Sequence, residues 1–280
     1  MQLDIRPATA ADLDTALGWA REEGWNPGLD DAGPFRAADP EGLLLGWLGA
    51  EPIGCISVVK YGADYAFLGL YIVRPEYRGR GYGKAIWDAG IASAGGRSIG
   101  LDGVPAQQAN YRKSGFEFAH GSARWGGTLN GPAARHPPVR PLRADDFGAV
   151  AAFDRRHVPA PRESFLAAWL TPSPSRRSAG YFEAGRLRGY GTIRRCGIGS
   201  KIGPLFAETP EIAEALLLTL GAAAGADPLF IDVPGPNGAA VELAKRLGLT
   251  PAFETARMYL GAAPTLPLQQ VYGITTLELG

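Results

Sequence analysis

Six residues, Arg78-Gly79-Arg80-Gly81-Tyr82-Gly83, combine positive charge with backbone freedom in a way that suits a phosphate. They follow an apolar run, Phe67 to Val73, and precede a helix-like stretch, Lys84 to Ala94. Glycines let main-chain N–H groups close on an anion, and a helix start adds a favourable dipole. The spacing excludes two phosphate devices. A Walker loop ends in Gly-Lys followed by Ser or Thr, whereas Lys84 is followed by Ala85. Nor do Gly79, Gly81 and Gly83 give the Gly-x-Gly-x-x-Gly of a dinucleotide fingerprint. What remains is Arg-x-x-Gly-x-Gly.

That pattern, introduced by Val73-Arg74-Pro75-Glu76-Tyr77, resembles the acetyl-CoA pyrophosphate loop of GCN5-related N-acetyltransferases. A later stretch, Tyr111-Arg112-Lys113-Ser114-Gly115-Phe116, is similar to the family's Tyr-x-x-x-Gly-Phe element. The resemblance implies that Arg78, Gly79, Arg80, Gly81, Tyr82 and Gly83, with Lys84, hold the diphosphate of acetyl-CoA. It implies that the backbone of Leu70, Tyr71, Ile72 and Val73 meets the pantetheine arm and polarises the thioester carbonyl. Tyr111 matches the tyrosine that in many relatives protonates the leaving sulfur. One position departs from the pattern: many relatives carry an Asn seven residues before that Tyr, and here it is Val104.

The amine must also lose a proton. Asp102, at the end of a predicted strand, is the first candidate base, with Glu117 and His120 as others. Several relatives use water instead. Acceptor selection in the family falls between the first helix and the second strand. That stretch holds Trp25, Phe35 and Asp30, with Trp19, Asp31, Asp39 and Glu41 nearby. An aromatic wall with carboxylates suits a cationic amine.

Composition narrows the setting. At 280 residues the chain suits two modest domains. Net formal charge is zero, which argues against nucleic-acid and anionic-membrane partners. No apolar run reaches transmembrane length, and Met1-Gln2-Leu3-Asp4 lacks a signal-peptide pattern. A cytoplasmic location is therefore expected. Cys55 and Cys196 sit in apolar runs without metal-ligand spacing and read as small buried hydrophobes. His136 and His157 read as surface or loop residues, and no metal is expected.

The chain repeats. Ile5-Arg6-Pro7 recurs as Val139-Arg140-Pro141, and Gly115-Phe116 as Gly248-Leu249. Two nearly equal offsets indicate a domain duplication. The second copy lacks the glycine loop: Gly203-Pro204-Leu205-Phe206-Ala207-Glu208-Thr209-Pro210 stands in its place, with a carboxylate of the wrong sign and two prolines that donate no N–H. The resulting expectation is an α/β (α+β) chain of two tandem GNAT-like domains, each a mixed, mostly antiparallel sheet flanked by helices. Residues 1–130 form the acetyl-CoA-binding domain, 131–138 a linker, and 139–280 a degenerate copy. The tail Val271–Leu279 reads as one more strand. The resemblance implies an acetyl-CoA-dependent N-acetyltransferase. It would act on a primary amine, a small molecule or a protein lysine, by direct attack in a ternary complex. The alternative is a non-catalytic acyl-CoA-binding regulatory module.

Overall fold

The computed structural model describes residues 2–129 and 138–280. The first half begins with strand β1 (Leu3–Pro7) and helix α1 (Ala10–Glu22). Thr9 starts α1 with a reciprocal capping box to Asp12, a device worth about 1 kcal/mol. Leu13, Ala16, Leu17 and Ala20 recur at helical spacing and are buried. A short helix α2 (Ala32–Ala38) follows, then strands β2 (Leu43–Leu48), β3 (Glu51–Tyr61) and β4 (Tyr65–Val73). Helix α3 (Tyr82–Ser93), strand β5 (Ser98–Gly103), helix α4 (Gln108–Lys113) and strand β6 (Glu117–Gly127) complete the half.

The second half repeats this outline. Strand β7 (Val139–Pro141) leads to helices α5 (Phe147–Asp154) and α6 (Glu163–Leu170) and strands β8 (Arg176–Glu183), β9 (Arg186–Arg195) and β10 (Ser200–Ala207). Helix α7 (Pro210–Gly221), strand β11 (Leu229–Pro234), helix α8 (Gly238–Arg246), and strands β12 (Thr250–Leu260) and β13 (Val271–Gly273) follow. No helix among the described residues is long and apolar enough to cross a membrane.

The linker expected at 131–138 lies almost wholly outside the described residues, as does His136. In space, two strands cross that division. The sheet runs β1-β2-β3-β4-β5-β12-β6-β11-β10-β9-β8-β7, so β12 of the second half pairs with β5 of the first, and β6 of the first half pairs with β11 of the second. β6 and β12 are corresponding strands of the repeat, and they pair antiparallel with each other. Glu117 faces Tyr259, and Thr250 faces Gly126. These two pairs interchange when each residue is replaced by its repeat counterpart, so the halves are related by a pseudo-two-fold axis between β6 and β12.

Each half has the same break in its sheet. β4 pairs in parallel with β5 only from Tyr65–Ser98 to Leu68–Leu101. Beyond that the β3–β4 register slips, with Cys55 opposite Ile72 but Ser57 opposite Gly69. The extra residue on β4 is a bulge, which bends a strand and increases its twist. Leu70 takes a φ of 44°, rare for a non-glycine residue, and the Cys55 thiol bonds its carbonyl at 3.0 Å. β4 and β5 therefore part, leaving one edge of residues 69–73 without a strand partner.

In the second half β10 pairs with β11 from Ser200–Leu229 to Ile202–Ile231, and the β9–β10 register slips beyond Ile202. Here the gap is filled by the chain itself. β13 pairs with β10 at Leu205–Gly273 and Phe206–Val271, and Ile274 N–H donates to Asp232 O of β11. Only Val271–Gly273 of the predicted tail strand is a strand. The rest runs on across the sheet to the first half, where the Tyr61 hydroxyl donates to Leu279 O at 3.1 Å.

Candidate active site

The open gap between β4 and β5 is the mouth of a cavity of about 450 Å³. One end reaches the glycine loop at Arg78, Gly79 and Gly83. The walls are β4 from Leu68 to Val73 and β5 from Leu101 to Gly103, with Tyr111 of α4 beside them. The far end is closed by Trp25, Arg124, Phe253, Thr255, Leu277 and Glu278. The last four come from the second half.

The glycine loop takes left-handed backbone at two of its glycines. Gly79 and Gly81 have φ of 74° and 84°, and a Cβ at either would meet nothing within 4 Å. Gly81 is the N-cap of α3 and supplies no capping side chain, so the N–H groups of the first helical turn remain available to an anion. A Cβ on Gly83 would fall 2.8 Å from the Tyr71 hydroxyl, so a larger residue would push that side chain aside. The Arg78 guanidinium bonds Val73 O and is paired with Glu23. Lys84 points along the helix to Asp88, and Arg80 lies over the Tyr77 ring; neither lines the cavity, nor do Gly81 and Tyr82.

Tyr111 is held by stacking on Trp87, ring centroids 5.5 Å apart. Gly103 makes its space: a Cβ there would sit 2.1 Å from the Tyr111 ring. Burial pushes the phenol up to about 12, so it stays protonated and able to donate across the neutral range. Val104 lines the cavity as an apolar residue, with no amide to replace the family's Asn.

Asp102 also lines the cavity, but both carboxylate oxygens are taken. Arg257 lies directly opposite on β12 and donates from Nε at 2.8 Å and from a terminal nitrogen at 2.6 Å. Its side chain is bound into that pair and is 0% exposed. His120 and Glu117 on β6 lie outside the cavity. Burial lowers the His120 pKa.

The acceptor residues divide. Trp25 lines the cavity. Phe35 does not: it is 4% exposed, on α2, packed into the core with Leu13 and Trp169. Asp30 does not either. It accepts from Ser173 at 2.6 Å and from Ser175, and these bonds hold its pKa low. The unpredicted α2 is why Phe35 turns away: the stretch read as an acceptor region is partly helix and packs against α6.

His157 is buried, stacked between Phe153 and Phe206 with centroids 4.8 Å away on each side, rather than at the surface. Cys55 and Cys196 are both free and buried. Among the described residues no group of three or more His, Cys, Asp or Glu side chains could hold a metal ion.

Of the far-end residues, the sequence marked only Trp25. Arg124 bonds Asp232 through two nitrogens at 2.7 and 3.0 Å and donates to Trp25 O at 2.9 Å, fixing the indole's backbone. Thr255 Oγ1 and Glu278 Oε2 are buried without hydrogen-bond partners. No sequence signal marks Glu278, because nothing local shows that the tail reaches a cavity of the other half.

Two family profiles match the chain: the acetyltransferase (GNAT) family over residues 10–116 and an acetyltransferase (GNAT) domain over residues 150–273. Holothin acyltransferase of Pseudoalteromonas sp. is 32% identical over 276 residues, covering 98% of this chain and 94% of that protein. The chain belongs to the acetyltransferase (GNAT) family. Solved structures share the tandem GNAT fold. A proposed acetyltransferase from Pyrococcus horikoshii aligns with a TM-score of 0.84 at 24% identity, over 99% of this chain and 96% of that one. A tandem GNAT protein of the clavulanic acid biosynthesis pathway aligns with a TM-score of 0.64 at 16% identity, over 94% and 100%. Both GNAT halves keep the bulged strand, but only the first leaves its gap open.

Proposed function

We propose that this GNAT protein transfers an acetyl group from acetyl-CoA to a primary amine by direct attack in a ternary complex. The observation that carries the reading is the continuous cavity. It runs from a glycine loop at a helix start, along an unpaired strand edge, past a buried tyrosine, to an aromatic wall. Acetyl-CoA would supply an acetyl group already activated as a thioester. The residues fit its parts. Main-chain N–H groups around Gly79 to Gly83 would bind the diphosphate. The free edge of residues 69–73 would orient an extended arm with amide groups, as a strand orients a neighbour. N–H groups at the bulge would favour negative charge on the carbonyl oxygen; one such donor is typically worth about 10²–10³ in rate. Tyr111 would donate a proton to the departing sulfur.

The acceptor would enter from the Trp25–Phe253 end, which suits a small amine with an apolar body; a protein lysine is the other acceptor to test. The Pseudoalteromonas relative acts on holothin by its name, which supports a small-molecule acceptor. The test is release of free CoA from acetyl-CoA with a panel of amines, holothin and a lysine peptide among them. Release only with particular amines supports transfer. Tight acetyl-CoA binding without release for any amine would instead fit a cofactor-binding module.

A further inference from the structure

We propose that Glu278, carried to the first half's cavity by the tail of the second half, receives the acceptor's ammonium group and takes its proton. This rests on the acetyl-transfer reading above. Three observations place it. A Cβ on Gly69 would lie 2.1 Å from Glu278 O, so the tail lies directly on the bulged strand beside the expected thioester. Glu278 is 3% exposed and lines the cavity, yet its Oε2 meets no donor. Thr255 Oγ1, in the same wall, is also unpartnered. A buried polar atom without a partner is costly, and an ammonium group would satisfy both. Asp102, by contrast, already has a counter-charge in Arg257.

The charged neighbours of Glu278 are Arg124 on β6, Arg194 on β9 and Lys201 on β10. Arg124 is paired with Asp232, Lys201 bonds the carbonyls of Trp25 and Asn26, and Arg194 is paired with Asp31 through Nε while one terminal nitrogen has no partner. None of the three donates to Glu278. The ammonium passes one proton to Glu278. The freed lone pair forms the C–N bond as the C–S bond breaks. The nitrogen's second proton replaces, through solvent, the one that Tyr111 gives to sulfur. Glu278 returns its proton to water when the products leave, so one proton is released per turnover.

The test is Glu278→Gln, assayed for turnover across pH, acetyl-CoA affinity by calorimetry, and Tm. We expect kcat to fall by about 10²–10⁴ with loss of the acidic limb of the pH profile. Acetyl-CoA affinity should hold within about two-fold. Glu278→Asp should recover part of the rate and the limb. If Gln does not fold, Thr255→Val should raise the amine KM several-fold at little cost in kcat. Wild-type transfer with an unaltered profile in Glu278→Gln overturns the inference alone. So does a Tm loss on the order of 10 °C, as expected for a structural ion pair. No CoA release by the wild type overturns the acetyl-transfer reading itself.

Discussion

A methyl group on Gly103 would press into the Tyr111 ring at 2.1 Å. Trp87 stacks on the ring, so the ring must shift and carry the phenol with it. Gly103→Ala should therefore imitate Tyr111→Phe: slower turnover at saturating substrates, with acetyl-CoA affinity changed much less. Unchanged turnover in both variants would remove Tyr111 from the chemistry. Gly81→Glu should weaken acetyl-CoA binding by at least about 100-fold, since a left-handed position is strained for glutamate and its charge opposes the diphosphate. Calorimetry showing undiminished affinity would refute the loop assignment. At this scale the sequence was readable where backbone demands are local. The loop and Tyr111 lie in short motifs, and their backbone demands leave glycines behind. The place of Glu278 was not readable, because it depends on a contact with Gly69, over 200 positions earlier in the chain.

Secondary structure was legible where period and capping agreed. Thr9 with Asp12, followed by Leu13, Ala16, Leu17 and Ala20, places α1 without ambiguity. α2 and α6 were missed because each is short, and their apolar residues face one another rather than following a long stripe. The Asp102–Arg257 pair joins β5 to β12, and hence one half to the other. Asp102→Asn leaves a buried guanidinium without its counter-charge and should cost about 3–5 kcal/mol in urea unfolding. A cost below about 1 kcal/mol would show that Arg257 finds another partner. His157, at the end of α5, gives a pH dependence. Burial lowers its pKa below the unfolded value of 6.5. Below 6.5 the unfolded chain takes up a proton that the folded chain resists. The contribution is thus fully present above that pH and is lost as pH falls through the folded pKa. Unfolding free energy should be lower at pH 5.5 than at 7.5, and His157→Phe should shrink that difference. An equal difference in the variant would assign it to other groups.

Across the whole molecule, the duplication could be read from recurring strings, but the exchange of β6 and β12 could not. Each strand has the same polarity pattern wherever it docks, so nothing local reveals whose neighbour it becomes. The filled gap in the second half implies one acetyl-CoA per chain; two equivalents bound in a titration would contradict that. Residues 1–130 produced alone should not yield a folded monomer. β5 would lack β12, and β6 would lack both of its neighbours. A pair of such fragments could restore the central β6 pairing about a true two-fold axis, so sedimentation should show a dimer or aggregate.

The exchanged strand also sets a timetable on the ribosome. β5 ends at Gly103, but its partner in the sheet ends at Leu260. At about 5–20 residues per second, translation needs on the order of 10 s or more to deliver it. Throughout that interval the nascent chain carries an open strand edge that its own unmade portion will close, which makes it a natural client for chaperones that shield such edges.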